Sequence, residues 1–333
     1  MGAGEVISYG MDYGYILFLG SFAILLPGIY GGIFRAEGDI KKATVPIAVT
    51  AIINIILDPI FIYILNFGIK GAAIATVLAS LIALILMLYW MFVKKDSFFS
   101  YDLKNFKLNF SMYKDILNVG IPASLEEILM SAVSIIINFL IQVVAGTTAV
   151  AVFTAGWRLL AIAIMPTIAV ATASITVAGV AYGARNIKNI QIATRYSIKL
   201  GFIFSVIIAI IFIVFADQIA YLFSYSANSA DLAGMIADFL RLMWIYVLPV
   251  AFGATAGYVF QGLGKGITSF ILTMLRELIC AVICAYIFAV TLDFGLLGVY
   301  IGLIVGTVIG SAIGVIYVEF YIKKLKEEFD VVS

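Results

Sequence analysis

The chain has 333 residues, 64% of them hydrophobic, a mean hydropathy of +1.16 and a formal net charge of +1, the profile of a polytopic membrane protein. It contains no histidine, which excludes Ser-His and Cys-His nucleophile pairs, HExxH zinc sites and His-ligated haem. Gly264-Lys265 is followed by Gly266, and position 259 is Val259, so no phosphate-binding loop exists to drive a nucleotide-powered pump within the chain.

Residues 1–12 carry no basic segment and no small-residue cleavage site, so no signal peptide is expected. Apolar runs then follow at 13–34, 43–65, 70–92, 116–145, 149–181, 195–216, 236–260, 267–290 and 296–320. About 20 apolar residues at about 1.5 Å each cross the hydrocarbon core, so each run is read as one transmembrane helix. The expected layout is a partial N-terminal lobe of three helices at 1–92 and an inter-lobe linker at 93–115. A six-helix C-terminal lobe at 116–320 and a tail at 321–333 complete it.

Basic residues fall on alternate connections. Arg35, Lys41 and Lys42, the lysines between Lys94 and Lys114, Arg185 to Arg195, Lys265, and Lys323 to Lys326 lie on one side; the other has Lys70. By the positive-inside rule the C-terminus is cytoplasmic and, nine crossings earlier, the N-terminus of this chain is outside.

The second run contains the segment that points to function. Between Ala43 and Leu65 the only strongly ionisable group is Asp58. A carboxylate at that depth costs about 3 kcal/mol on insertion scales, and such residues mark ion or substrate pathways by default. Asn54 lies one turn from Asp58 on the same helix face. Pro59 has no N–H to offer the Ile55 carbonyl, which leaves a further oxygen nearby. Asp58 is about 12 Å below the outer end of its span and Thr76 about 9–10 Å down the next, so an antiparallel pair sets them level. Carboxylate, amide, hydroxyl and bare carbonyl together suit a small monovalent cation or a proton. An Asn/Asp pair also serves as helix–helix glue, and a membrane threonine more often bonds its own helix, so both readings stand at this point.

An internal repeat fixes the architecture. Asp12, Phe34, Gly38 and Phe67-Gly68-Ile69-Lys70-Gly71 recur as Asp238, Phe260, Gly264 and Phe294-Gly295-Leu296-Leu297-Gly298, at an offset of 226 residues and then 227. Parallel repeats of this kind build two-lobed transporters with a site at or beside the lobe interface. The polar trio is confined to the first copy: Asn54 falls opposite Cys280 or Ala281, Asp58 opposite Cys284 or Ala285, and Thr76 opposite Leu303. Cys280 and Cys284 themselves, one turn apart in an apolar helix, are read as packing residues. Gly302, Gly306, Gly310 and Gly314 form a ridge matched by Gly71, Ala75, Ala79 and Ala83, a sign of close helix packing. Further polar groups at lipid depth are Glu126 and Glu127, after Pro122, and Arg276-Glu277 in the eighth run. Ion pairing ranks ahead of a substrate or proton role for these, with Arg276 expected to pair across the bundle, since helix neighbours do not face each other.

Arg35-Ala36-Glu37-Gly38-Asp39, the segment from Asn54 to Ile62 and that from Gly68 to Thr76 resemble the MATE (multidrug and toxic compound extrusion) family, most closely its archaeal and DinF-like branch. Gly120-Ile121-Pro122-Ala123, Met165-Pro166 and Gly183-Ala184-Arg185-Asn186 extend the resemblance along the chain. It implies an all-α bundle of two six-helix lobes, of which this chain carries the last nine helices of twelve. It also implies a secondary exporter, not an enzyme, that exchanges organic cations or drugs for Na⁺ or H⁺ in the cell membrane. Asn54, Asp58 and Thr76 would belong to its cation site. The family's further aspartate, on the first helix, has no counterpart, and the glutamate that one branch carries deeper in the seventh helix is replaced by Met130. No cofactor beyond the coupling ion, no nucleic-acid partner and a monomeric full-length protein are expected, with truncation of a full-length transporter as the favoured account of the missing helices. A lipid-linked oligosaccharide flippase and a non-transporting subunit remain the alternatives.

Overall fold

The computed structural model describes residues 3–94, 97, 109–223 and 230–332, and all of their regular structure is helical. The chain divides into two compact units, Met1–Leu108 and Asn109–Ser333. Most of the linker expected at 93–115 lies outside the described residues.

The first unit holds α1 (Ala3–Leu19), α2 (Ser21–Ala36), α3 (Ile40–Ile64) and α4 (Gly68–Val93). The first apolar run is therefore two helices, bent by 52° at Gly20-Ser21, a pair of the kind at which helices kink. The bend coincides with a close approach to α4: a Cβ on Gly20 would stand 2.6 Å from a methyl of Val77. α4 is the pillar of the unit, with Ala75, Ala79 and Ala83 fully buried along one stripe. At the α2 end, Phe34, Met87 and Met91 make the core, and Trp90 meets Phe34 edge-on.

The second unit contains α5 (Phe110–Gly183), α6 (Ile187–Phe223), α7 (Ala230–Gly262), α8 (Gly266–Thr291) and α9 (Gly295–Val332). As one rod, the 74 residues of α5 would run about 110 Å, several bilayer thicknesses. It is not one rod: Gly146 sits at φ 81, ψ −179, a conformation that only glycine adopts readily, and splits α5 into limbs 110–145 and 147–183. With that split and the bent α1–α2 pair counted once, the described residues give nine apolar spans, as the sequence indicates. Phe153, Trp157, Phe239, Tyr246 and Tyr300 form an aromatic centre between α5, α7 and α9.

The repeat is visible in backbone detail. Phe34 and Phe260 are both fully buried, and the N–H groups of Asp39 and Lys265 close on their carbonyls at 2.9 and 2.8 Å. α3 ends in an i→i+5 turn at Ile60–Ile64, and α8 ends in one at Ile287–Thr291. Asn66 and Asp293 then both turn left-handed, at φ 55 and 57, and Phe61–Phe67 and Phe288–Phe294 contact at 6.3 Å in each copy. The change of offset from 226 to 227 is absorbed in α8 by an i→i+5 stretch at Met274–Val282, where α3 has ordinary helix. A one-residue insertion in a helix is accommodated in this way, and such stretches recur at functional sites. Beyond the stretch the register is 227, so Ala285, fully buried, stands in the second copy where Asp58 stands in the first.

Candidate functional site

Asp39 anchors the entry to α3. Its carboxylate accepts the Lys42 N–H at 3.1 Å and pairs with Lys42 Nζ at 2.9 Å, an N-cap that fixes the start of the helix. The hydrogen bonds and charge of Lys42 hold the Asp39 carboxyl below its usual range.

Four turns on, α3 and α4 bring the three predicted residues together. Asn54 Nδ2 donates to Asp58 Oδ1 at 3.3 Å and to Thr76 Oγ1 at 3.4 Å, so the amide bridges the two helices. The Thr76 hydroxyl donates to the Ala72 carbonyl at 2.9 Å, which leaves its lone pairs toward Asn54. Pro59 closes the regular part of α3, and i→i+5 bonding takes over at the next residue. All three side chains are half-buried. Among the described residues, no lysine or arginine stands within ion-pair distance of Asp58. Asn54 and Thr76 line a cleft of about 430 Å³ between α2, α3 and α4, together with Pro27, Arg35, Thr50 and Ser80. A larger groove of about 630 Å³, between the second limb of α5 and α6, is lined by no charged side chain.

The second unit sorts its acidic residues differently. Glu126 is half-buried and accepts from Gln261 Nε2 at 3.3 and 3.4 Å, while Glu127 beside it is exposed. Arg276 does not pair across the bundle: its Nε donates to Glu277 Oε1, its own neighbour, at 2.8 Å, with both side chains nearly buried. The expectation failed because it assumed α-helical spacing. In the i→i+5 stretch successive side chains diverge less, and a long guanidinium can fold back to the adjacent carboxylate. Gly253 on α7 and Gly310 on α9 make the room: a Cβ on Gly253 would stand 2.8 Å from Arg276 Cδ, and one on Gly310 2.5 Å from Arg276 Cα. Among the described residues, Ser311 Oγ is buried nearby without a hydrogen-bond partner. Sequence reading missed Gln261, although its place opposite Arg35 in the repeat marks a polar position in both copies.

The MatE family profile matches residues 122–287. Among solved structures, one described as MATE in complex with MaL6 is 36% identical, with a TM-score of 0.95, over 98% of this chain and 73% of that one. The chain belongs to the MATE family. A MOP superfamily transporter from Pyrococcus furiosus is 37% identical, with a TM-score of 0.94, over 98% of this chain and 72% of its own. Thermotoga maritima has a probable multidrug resistance protein NorM that is 23% identical over 276 residues, 82% of this chain. Staphylococcus haemolyticus has a multidrug export protein MepA that is 31% identical over 157 residues, 47% of this chain. The chain spans 58% of the length of the first of these two relatives and 34% of the second. As in other MATE proteins, its helices build a membrane-embedded transporter fold, not an enzyme.

Proposed function

We propose that this MATE protein takes part in secondary export of organic cations or drugs, exchanged for Na⁺ or H⁺, with Asp58 as the residue that holds the coupling ion. One observation carries the reading: a membrane-depth carboxylate is bonded by an amide that also reaches a hydroxyl on the next helix, and among the described residues it has no basic partner. A structural ion pair would have supplied that partner. The restriction of the trio to one copy of the repeat, with Ala285 in the other, supports a dedicated site. The names of two relatives, a probable multidrug resistance protein and a multidrug export protein, support the cargo class.

Asp58 takes up its ion from the outer side, Asn54 and Thr76 complete the shell, and neutralising the carboxylate shifts the balance between conformations. An ion drives such a shift only by binding one conformation better than the other. The alternation of basic loops supports a cytoplasmic C-terminus.

Asp58→Asn keeps the shape of the side chain and removes its charge. Ion-driven drug efflux from proteoliposomes should fall to the level of protein-free vesicles, while the elution profile on size exclusion stays that of the wild type. Coupled efflux at the wild-type rate would remove Asp58 from the mechanism.

A further inference from the structure

The cleft that Asn54 and Thr76 line in the first unit does not end at them. Its polar lining continues one turn toward the Arg35 end on both walls. Thr50 stands four residues from Asn54 on α3, and Ser80 four residues from Thr76 on α4, each about 6 Å further along its helix. The Thr50 hydroxyl donates to the Pro46 carbonyl at 2.9 Å, which leaves its lone pairs for the cleft. Ser80 is only 7% exposed, yet its hydroxyl borders the cleft and has no hydrogen-bond partner among the described residues. Buried polar groups are otherwise bonded, so an orphan hydroxyl on a cleft wall marks a place where water or an ion bonds.

Beyond this rung the lining turns apolar, with Pro46, Ala43 and Met87 all buried. Arg35 follows, in the last turn of α2. Its guanidinium folds back over its own helix: a Cβ on Gly31 would stand 3.6 Å from Arg35 Nη1, 3.7 Å from Met87 Cε and 3.8 Å from the Ala43 carbonyl oxygen. One on Gly32 would stand 4.0 Å from Nη2. The charge is thus held at the mouth of the cleft, close to α3 and α4. The carboxylates nearest in sequence, Asp39 and Glu37, are engaged by Lys42 and Ser97.

The second copy of the repeat furnishes the corresponding positions differently. Thr50 falls opposite Arg276 or Glu277, which pair with each other and are nearly buried; Ser80 falls opposite Thr307, and Arg35 opposite Gln261. The first unit therefore keeps hydroxyls and open space where the second has a packed ion pair. It also keeps a positive charge at the mouth where the second has a neutral amide.

We propose that the cleft between α2, α3 and α4 is the inward exit of the coupling ion, with Thr50 and Ser80 as the step after the Asp58 shell and Arg35 as an electrostatic gate. This rests on the reading of Asp58 as the residue that holds the ion, and its inward sense follows the orientation proposed above. A cation that leaves Asn54 and Thr76 meets two hydroxyl oxygens one turn on, so it passes between oxygen-lined stations before the apolar stretch. The guanidinium then opposes it. A like charge about 10 Å away, at an effective dielectric constant of about 20, lowers the local population of a monovalent cation by roughly tenfold. Arg35 thereby holds back inward leak of the ion and leaves neutral molecules unaffected.

The test is thiol accessibility of Ser80→Cys in the purified chain in lipid nanodiscs, with the wild type and its Cys280 and Cys284 as background. Two methanethiosulfonate reagents are compared, one carrying a trimethylammonium group and one neutral. Ser80→Cys should react with both. Adding Arg35→Gln should raise the ratio of the cationic to the neutral rate roughly tenfold, and Arg35→Lys should leave it where it was. An inert Ser80→Cys, or a ratio that Arg35→Gln does not move, overturns the proposal. The neutral rate does not involve the Asp58 charge, so it reads the exit even where Asp58→Asn leaves coupled efflux intact and the ion-holding role fails. If Arg35→Gln aggregates, Thr50→Leu in the Ser80→Cys background puts a bulkier apolar side chain on the opposite wall. Both reagents must then slow, and unchanged rates overturn the proposal equally.

Discussion

Arg276→Met should destabilise the protein by about 3–5 kcal/mol, the range for breaking a buried ion pair from one side. Glu277 is only 5% exposed and, among the described residues, Arg276 is its ion-pair partner, so the variant leaves a carboxylate with no compensation at membrane depth. The buried hydroxyl of Ser311 is too weakly polar to replace a guanidinium. The pair itself contributes much less than its rupture costs. Removing both charges at once, as Arg276→Met with Glu277→Met, should therefore return the melting midpoint close to that of the wild type, since well-packed apolar replacements of buried pairs are often neutral or better. A double-mutant cycle on thermal melts in one detergent measures the difference. Single variants that both melt with the wild type would show that the pair is solvated through the bundle.

That pair also marks where the sequence stopped being readable. The rule that adjacent side chains diverge holds for 3.6 residues per turn, and nothing in Met274 to Val282 taken alone announces a wider helix. The signal lay elsewhere, in the repeat, whose offset grows by one residue between Gly264 and Phe294. An insertion that leaves both flanks in register must be housed inside the helix, and the i→i+5 stretch houses it. By contrast, the constellation of Asn54, Asp58 and Thr76 was legible because its ingredients are local: one helical turn, one short connection and one depth count. The two-lobed all-α class was legible because a layer about 30 Å thick admits little other than helices of this length. The 52° bend at Gly20 was not, because apolar character runs through it without a break and what sets it is the packing of Val77 from a helix more than fifty residues away.

Gly306→Leu should prevent the second unit from folding, and Gly306→Ala should already cost about 1–3 kcal/mol, the range for overpacking a close-packed interior. The reason is that α8 and α9 touch through backbone. A Cβ on Gly306 would stand 2.6 Å from the Ala281 nitrogen, one on Gly302 2.6 Å from the Cys284 carbonyl carbon, and one on Gly298 2.6 Å from the Phe288 carbonyl carbon. Backbone cannot rotate aside as a flexible side chain can, so even one methyl must push the two helices apart. Helices in lipid gain little from hydrophobic contrast and associate through such close packing, which makes the loss larger here than the added volume suggests. The first unit supplies the control. There the matching ridge reads Gly71, Ala75, Ala79 and Ala83, and the three alanines are fully buried without room to spare or to lose. Ala79→Gly should therefore cost only about 1 kcal/mol, the helix-propensity difference together with one lost methyl contact. The two variants are mirror images on matched positions of one repeat. Comparing their melting midpoints in one detergent tests whether α8 and α9 really depend on backbone contact; equal shifts for Gly306→Ala and Ala79→Gly would show that they do not.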